Sequence, residues 1–229
     1  MTRFGKTPLI IAAAACAFAT VGVTTSAFAE ATISVYGGAN FSPHARVKTF
    51  NGAGTQTSSN SVGWDGESFE MPPYYGVRAT WWLEETPEFG LAVDFTHAKV
   101  KASTLPKSFT TLEFTDGINF LTANALYRHD MGTGFTPYIG LGVGAAIPHV
   151  EVAGDPAVVG PTQTLEYQVT GFAAQALIGV DYKIDDHWSV FGELKSNYGV
   201  VDADLAGGFK LETEIISNQV IFGVTYKLF

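Results

Sequence analysis

Residues 137–152 read PYIGLGVGAAIPHVEV. Ile139, Leu141, Val143, Ala145 and Ile147 share one parity, and Tyr138, Gly140, Gly142, Gly144 and Ala146 share the other. Successive side chains of a strand point to opposite faces, so the segment predicts a strand with one apolar face and one nearly bare face. A soluble sheet would carry Thr, Ser or charge on its second face. Glycine weakens a strand unless its empty space is needed. The narrow interior of a small closed barrel needs it, because side chains from many strands fill that interior. The apolar face then looks at lipid, as in a transmembrane β-strand.

Seven more segments predict strands: 32–47, 73–84, 89–101, 112–129, 164–182, 188–198 and the stretch from 211 to the C-terminus. Their connections alternate. Residues 48–72, 102–111, 153–163 and 199–210 make the longer ones, and 85–87, 130–135 and 183–187 the short ones. Short periplasmic turns and longer extracellular loops produce that alternation in an outer-membrane barrel. The predicted fold class is therefore all-β, an eight-stranded antiparallel up-and-down transmembrane β-barrel. A periplasmic β-sandwich, the soluble alternative, has no reason to alternate. Trp81, Trp82, Phe89, Tyr127, Tyr138, Tyr182, Trp188 and Tyr226 fall at the short-turn ends. Tyr75, Phe95, Phe114, Tyr167 and Tyr198 fall near the long-loop ends, which predicts two interfacial girdles. Barrels of this size are filled by their own side chains, so a diffusion pore is not expected. The terminal Phe229 resembles the assembly signal of outer-membrane proteins, although Tyr226 is one residue out of phase with its usual alternation.

Composition narrows the setting. Arg3 and Lys6 precede an apolar run over residues 9–23, and Ala27-Phe28-Ala29 forms a small-x-small cleavage signal. Residues 1–29 are predicted to be a cleaved signal peptide, and 30–229 the outer-membrane barrel. The sole cysteine, Cys16, leaves with the signal, which excludes thiol catalysis and disulfides from the mature chain. The formal charge of −9 becomes more negative once Arg3 and Lys6 are gone, and such a surface repels nucleic acid. No stretch after the signal reaches the ~18 apolar residues of a helical span. The expected location is the bacterial outer membrane, with membrane lipid as partner and a monomeric state.

Three upward strands end alike, in SPHARV, FTHAKV and IPHVEV, placing His44, His97 and His149 one hairpin period apart. The apolar parity shifts just there, from Phe95 to Ala98 and from Ile147 to Val150. A β-bulge would explain the shift by re-aiming side chains at the barrel rim. His97 and His149 would then join His44 inside the outer end of the lumen. Glu113, Asp116, Glu151, Glu166, Glu193 and Lys195 lie at comparable height, with Arg78 deeper. Histidines on alternate strands start ~10 Å apart, so they share a metal only by converging on the barrel axis. Imidazole with carboxylate suits several transition metals. Three readings compete: a charge network that satisfies itself in a low dielectric, an acid–base or metal site, and solvated loop-base residues. Walker, GxGxxG, HExxH and CxxC motifs are absent. Ser42, two residues from His44, is a weak hydrolase signal.

The chain resembles the small outer-membrane β-barrels of Gram-negative bacteria over roughly residues 31–229. More narrowly, PPYYG (72–76), LEFTDGINFLTANALYR (112–128), PYIGLGVGAAIPHVE (137–151) and EYQVTG (166–171) are similar to the alphaproteobacterial lipid A oxidase group. That resemblance implies an oxygen-dependent enzyme that converts the proximal glucosamine of lipid A to aminogluconate. On that expectation His44, His97, His149, Glu113 and Glu151 carry the proton chemistry. Arg78 and Lys195 bind a phosphate or carboxylate of the substrate. A divalent or transition metal held by the three histidines handles oxygen. The competing class is a non-enzymatic barrel that anchors, adheres or stiffens the envelope. A lipid A deacylase or acyltransferase would need a Ser-His pair facing lipid.

Overall fold

The computed structural model describes residues 28–229. The expected signal segment lies outside them except for Phe28 and Ala29, which open the first strand. Ten strands follow in order: β1 (Phe28–Phe50), β2 (Gln56–Asp65), β3 (Tyr75–Leu83), β4 (Phe89–Ala102), β5 (Phe109–Arg128), β6 (Phe135–Gly154), β7 (Thr164–Tyr167), β8 (Gly171–Lys183), β9 (Trp188–Leu205) and β10 (Phe209–Lys227). A single helical turn, α1 (Pro156–Val159), sits between β6 and β7. All pairings are antiparallel. The ring β1-β3-β4-β5-β6-β8-β9-β10 closes when β10 returns to β1, from Thr32↔Lys227 onward. Closure leaves that ring without an edge.

β2 and β7 are additions to this ring. β2 pairs with the far half of β1 and touches β4 at Trp64↔Ala102, so it takes over from β3 above the membrane. β7 does the same for β8, pairing with β6 from His149 to Val152. The region expected as one long loop, 48–72, therefore contains a strand, and the expected strand 164–182 is two strands. Most of the expected loop 199–210 is also strand, since β9 and β10 stay in register up to Phe209↔Leu205.

Inside and outside follow from the pleat. Leu91, Val93, Leu141, Val143, Ile178, Val180 and Phe222 are exposed on the outer wall. They form the lipid-facing belt. Phe89, Tyr127, Phe135, Tyr182, Trp188 and Tyr226 ring its short-turn end. Trp82, Tyr138 and Phe114 do not belong to the girdles: Trp82 and Phe114 are buried, and all three pack in the interior. The bare face of β6 is the lumen face. A Cβ on Gly140 would overlap the Leu126 side chain, and one on Gly142 would overlap Asn124.

Beyond the belt the interior turns apolar. Val47, Val62, Leu112, Phe114, Ile118, Val150, Val152, Val201, Leu211 and Ile215 are fully buried there and form one cluster. α1 caps it with the buried Val159. This explains the parity shift that read as a bulge in β4 and β6. Within lipid the outer face must be apolar. Above lipid the outer face meets water, so the apolar residues belong inside. The strand keeps its twofold alternation while its surroundings change. The extra residues lie in β5, between Glu113↔Glu151 and Ile118↔Pro148. They add an even number, so inside and outside are preserved.

Candidate functional site

Two polar constellations stand out. The first fills the lumen at belt height. Arg78 donates from Nε and Nη2 to Asp94 Oδ2 at 3.1 and 3.0 Å, and from Nη1 and Nη2 to the two Glu193 oxygens at 2.7 Å each. Lys195 Nζ donates to Asp94 Oδ2 and to the Tyr36 hydroxyl, both at 2.7 Å. Tyr36 donates to Asp94, Gln175 Nε2 to Asp94, and Tyr138 to Glu193. Two cations face two carboxylates, and the four side chains are 0–4% exposed. Buried charges persist only when so paired and hydrogen-bonded. Arg78 and Lys195, expected to hold a substrate anion, are thus taken up by the chain's own carboxylates.

Asp94 is the hub that the sequence reading missed. Its signal was present. It is the one charged residue of the 89–96 stretch, and it shares parity with the lumen-facing Gly90 and Ala92.

The second constellation lies on the outer wall where the strands leave the belt. The register Tyr75↔His97↔Asn119 runs unbroken from the lipid-facing rows, so His97 points outward. His149 does likewise on β6, opposite Tyr167 of β7. Neither enters the lumen, contrary to the bulge expectation. His44 is exposed and its ring lies against Gly63 of β2. The structure therefore does not bring the three histidines together.

It brings other groups together instead. His149 Nδ1 lies 3.1 Å from Glu151 Oε1 and 3.6 Å from Asp116 Oδ2. Asp116 comes from the extra residues of β5, followed by Gly117 at φ +117°, a conformation open to glycine. Glu113 pairs with Lys101 at 3.5 Å and stands apart from His149. The Tyr167 ring packs on His149 at 4.6 Å, and its hydroxyl donates to the Asp116 carbonyl. Burial, with Asp116, Tyr75 and Glu151 nearby, raises the Tyr167 phenol above its ordinary value. Next along the wall, Tyr75 stacks on His97 at 4.9 Å. Asn119 spends its amide N–H on the Ile147 carbonyl, so its Oδ1 accepts from His97 Nδ1. His97 Nε2 then carries the lone pair, buried and without a partner among the described residues. An oriented imidazole of this kind is equipped to accept a proton or a metal.

A closed eight-stranded ring with a lipid belt invites comparison with known outer-membrane families. The sequence pattern of the Opacity family porin proteins matches residues 84–228. The chain belongs to the Opacity family. A relative, outer membrane protein PagN of Salmonella typhimurium, is 32% identical over 113 residues, 45% of this chain and 46% of PagN. The chain thus matches less than half the length of that curated relative. Among solved structures, OprG of Pseudomonas aeruginosa aligns over 89% of this chain and 98% of its own, at 15% identity and TM-score 0.48. Neisserial surface protein A aligns over 86% and 96%, at 17% identity and TM-score 0.44. The chain is a bacterial outer-membrane β-barrel. The lumen of this Opacity-family member is filled at two levels, by the charge network and by the apolar cluster above it.

Proposed function

We propose that the chain is a non-enzymatic surface barrel that presents a rigid extracellular platform for attachment. One observation carries this: β1, β5, β6, β9 and β10 run on past the belt as paired strands around a packed apolar core. The outer portion is therefore a shaped body and not a set of loops around a channel. Phe69 and Met71 project from it at 83% and 84% exposure. Exposed apolar groups on a surface otherwise rich in charge suit contact with another body. Cells carrying the intact gene, the deletion, and a Phe69→Ser, Met71→Ser variant are compared for attachment to abiotic and host-cell surfaces. Attachment that falls in the deletion and the variant supports the reading. Equal attachment in all three strains overturns it. Bilayers holding the purified chain should show no stepwise conductance.

The lipid A oxidase reading stays as a second proposal because of where the outer-wall cluster lies. His97, His149 and Glu151 lie on the outer wall directly above the belt, at headgroup height, with the two histidines covered by the Tyr75 and Tyr167 rings. His97 Nε2, a neutral base, would meet a sugar hydroxyl only after a bound headgroup uncovers the ring. Lipid A from intact, deleted and His97→Gln strains separates the readings by mass. Gain of one oxygen atom on the 1-dephosphorylated species, lost in both controls, supports the oxidase. Identical spectra with that substrate present exclude it.

A further inference from the structure

We propose that Asp116, His149 and Glu151 bind one divalent first-row transition ion on the outer wall, with its open positions facing outward. One nitrogen and two carboxylate oxygens lie within 4.8 Å of one another. A tetrahedral ion with bonds of about 2.0–2.1 Å holds its ligand atoms about 3.3–3.4 Å apart. The His149 separations of 3.1 and 3.6 Å bracket that spacing without an ion. Imidazole with carboxylates favours a borderline ion of the zinc or cobalt type over calcium, which takes oxygen ligands alone.

Charge points the same way. Among the described residues no Lys or Arg lies within ion-pair distance of Asp116 or Glu151, whereas neighbouring Glu113 has Lys101. Two carboxylates drawn onto one imidazole nitrogen leave a local negative excess that a divalent ion removes. The elements differ in origin: His149 and Glu151 are two apart on one face of β6, while Asp116 reaches them from the inserted turn of β5. On the same wall the His97 ring packs against Gly117, the residue after Asp116, and its Nε2 is buried and without a partner among the described residues. The alternative is an imidazolium bridging the two carboxylates with no metal at all.

The test titrates the full folded chain in detergent with zinc by calorimetry and with cobalt by visible absorption. One ion per chain is expected, with tetrahedral cobalt bands. Asp116→Asn, Glu151→Gln and His149→Gln should each weaken binding by about tenfold or more, since even outer-shell changes around a metal cost about 10–100-fold. His44→Gln should leave binding unchanged. Asp116 is exposed, so Asp116→Asn keeps the test valid if His149→Gln fails to fold, judged by the heat-dependent shift in electrophoretic mobility. No saturable uptake, or equal uptake in Asp116→Asn and Glu151→Gln, overturns the proposal in favour of the bridging imidazolium. Loss of uptake on His44→Gln also overturns it. This outcome is independent of the attachment assay and of the lipid A spectrum.

Discussion

Replacing Arg78 by Met tests whether the lumen is dry. The side chain makes four charge-assisted hydrogen bonds to Asp94 and Glu193. Its removal leaves Asp94 with Lys195, Tyr36 and Gln175, and leaves Glu193 with Tyr138 and a Lys195 ammonium 3.7 Å away. One cation then serves two buried carboxylates. Breaking a buried pair on one side costs about 3–5 kcal/mol, because the stranded charge has lost its solvent and its partner. At about 1.4 kcal/mol per decade that is roughly two to three and a half decades in the folding equilibrium. Urea unfolding of the purified barrel, followed by Trp fluorescence and the electrophoretic shift, reads the change. Adding Glu193→Gln to Arg78→Met removes the stranded charge and should recover about 1–3 kcal/mol of coupling. A loss below about 1 kcal/mol, the scale of exposed ion pairs, would refute the reasoning. The network would then be hydrated, and the lumen would not be sealed at this level.

Three further outcomes follow from packing and turn chemistry. Gly142→Val should abolish the folded electrophoretic form, because its β-carbon would overlap Asn124, whereas Gly192→Ala, whose nearest neighbour is Phe222 at 3.4 Å, should fold. Phe114→Ala, in the apolar cluster above the belt beside Trp64, should lower stability by about 3–5 kcal/mol in the same urea assay. In the turn between β8 and β9, the Asp185 carboxylate accepts from the His187 and Trp188 backbone N–H groups, and these hold its pKa below the ordinary carboxyl value. A lowered folded pKa gives stability that is present above the unfolded value and lost as pH falls through the folded one. Amide protection factors at His187 and Trp188, taken relative to the intrinsic exchange rate at each pH, should therefore fall as pH drops through the folded Asp185 pKa in the wild type and show no such step in Asp185→Asn.

The belt was legible because lipid imposes a strict rule. Every outward position of β6 from Ile139 to Ala145 is apolar, and every inward one is small enough for its neighbours, so period two was enough. The extracellular half was harder to read. Residues 56–65, QTSSNSVGWD, are polar enough to pass for loop, yet they pair with β1 and bury Val62 and Trp64. β7 is only four residues long and carries one buried residue, too little to show a period. The lumen network was partly visible in Arg78, Glu193 and Lys195, but sequence alone could not show that they meet. Their partner Asp94 lies 99 residues from Glu193, and only closure of the ring brings the two onto one guanidinium.

The histidines show why emergence from a membrane can be mistaken for a bulge. A reader who fixes the apolar face as the outer one must flip the strand when apolar residues change parity. The register at Tyr75↔His97↔Asn119 forbids that flip. What changes is the medium beside the wall, from lipid to water, while Ala98, Val100, Val150 and Val152 remain on the inner face. The consequence is chemical. A polar residue that follows the last apolar outward residue, as His97 follows Phe95 and His149 follows Ile147, stands on the outer wall at headgroup height. A ligand for His149 and its two carboxylates must therefore arrive from the outer leaflet or the extracellular water, because the packed cluster behind them closes the route through the lumen.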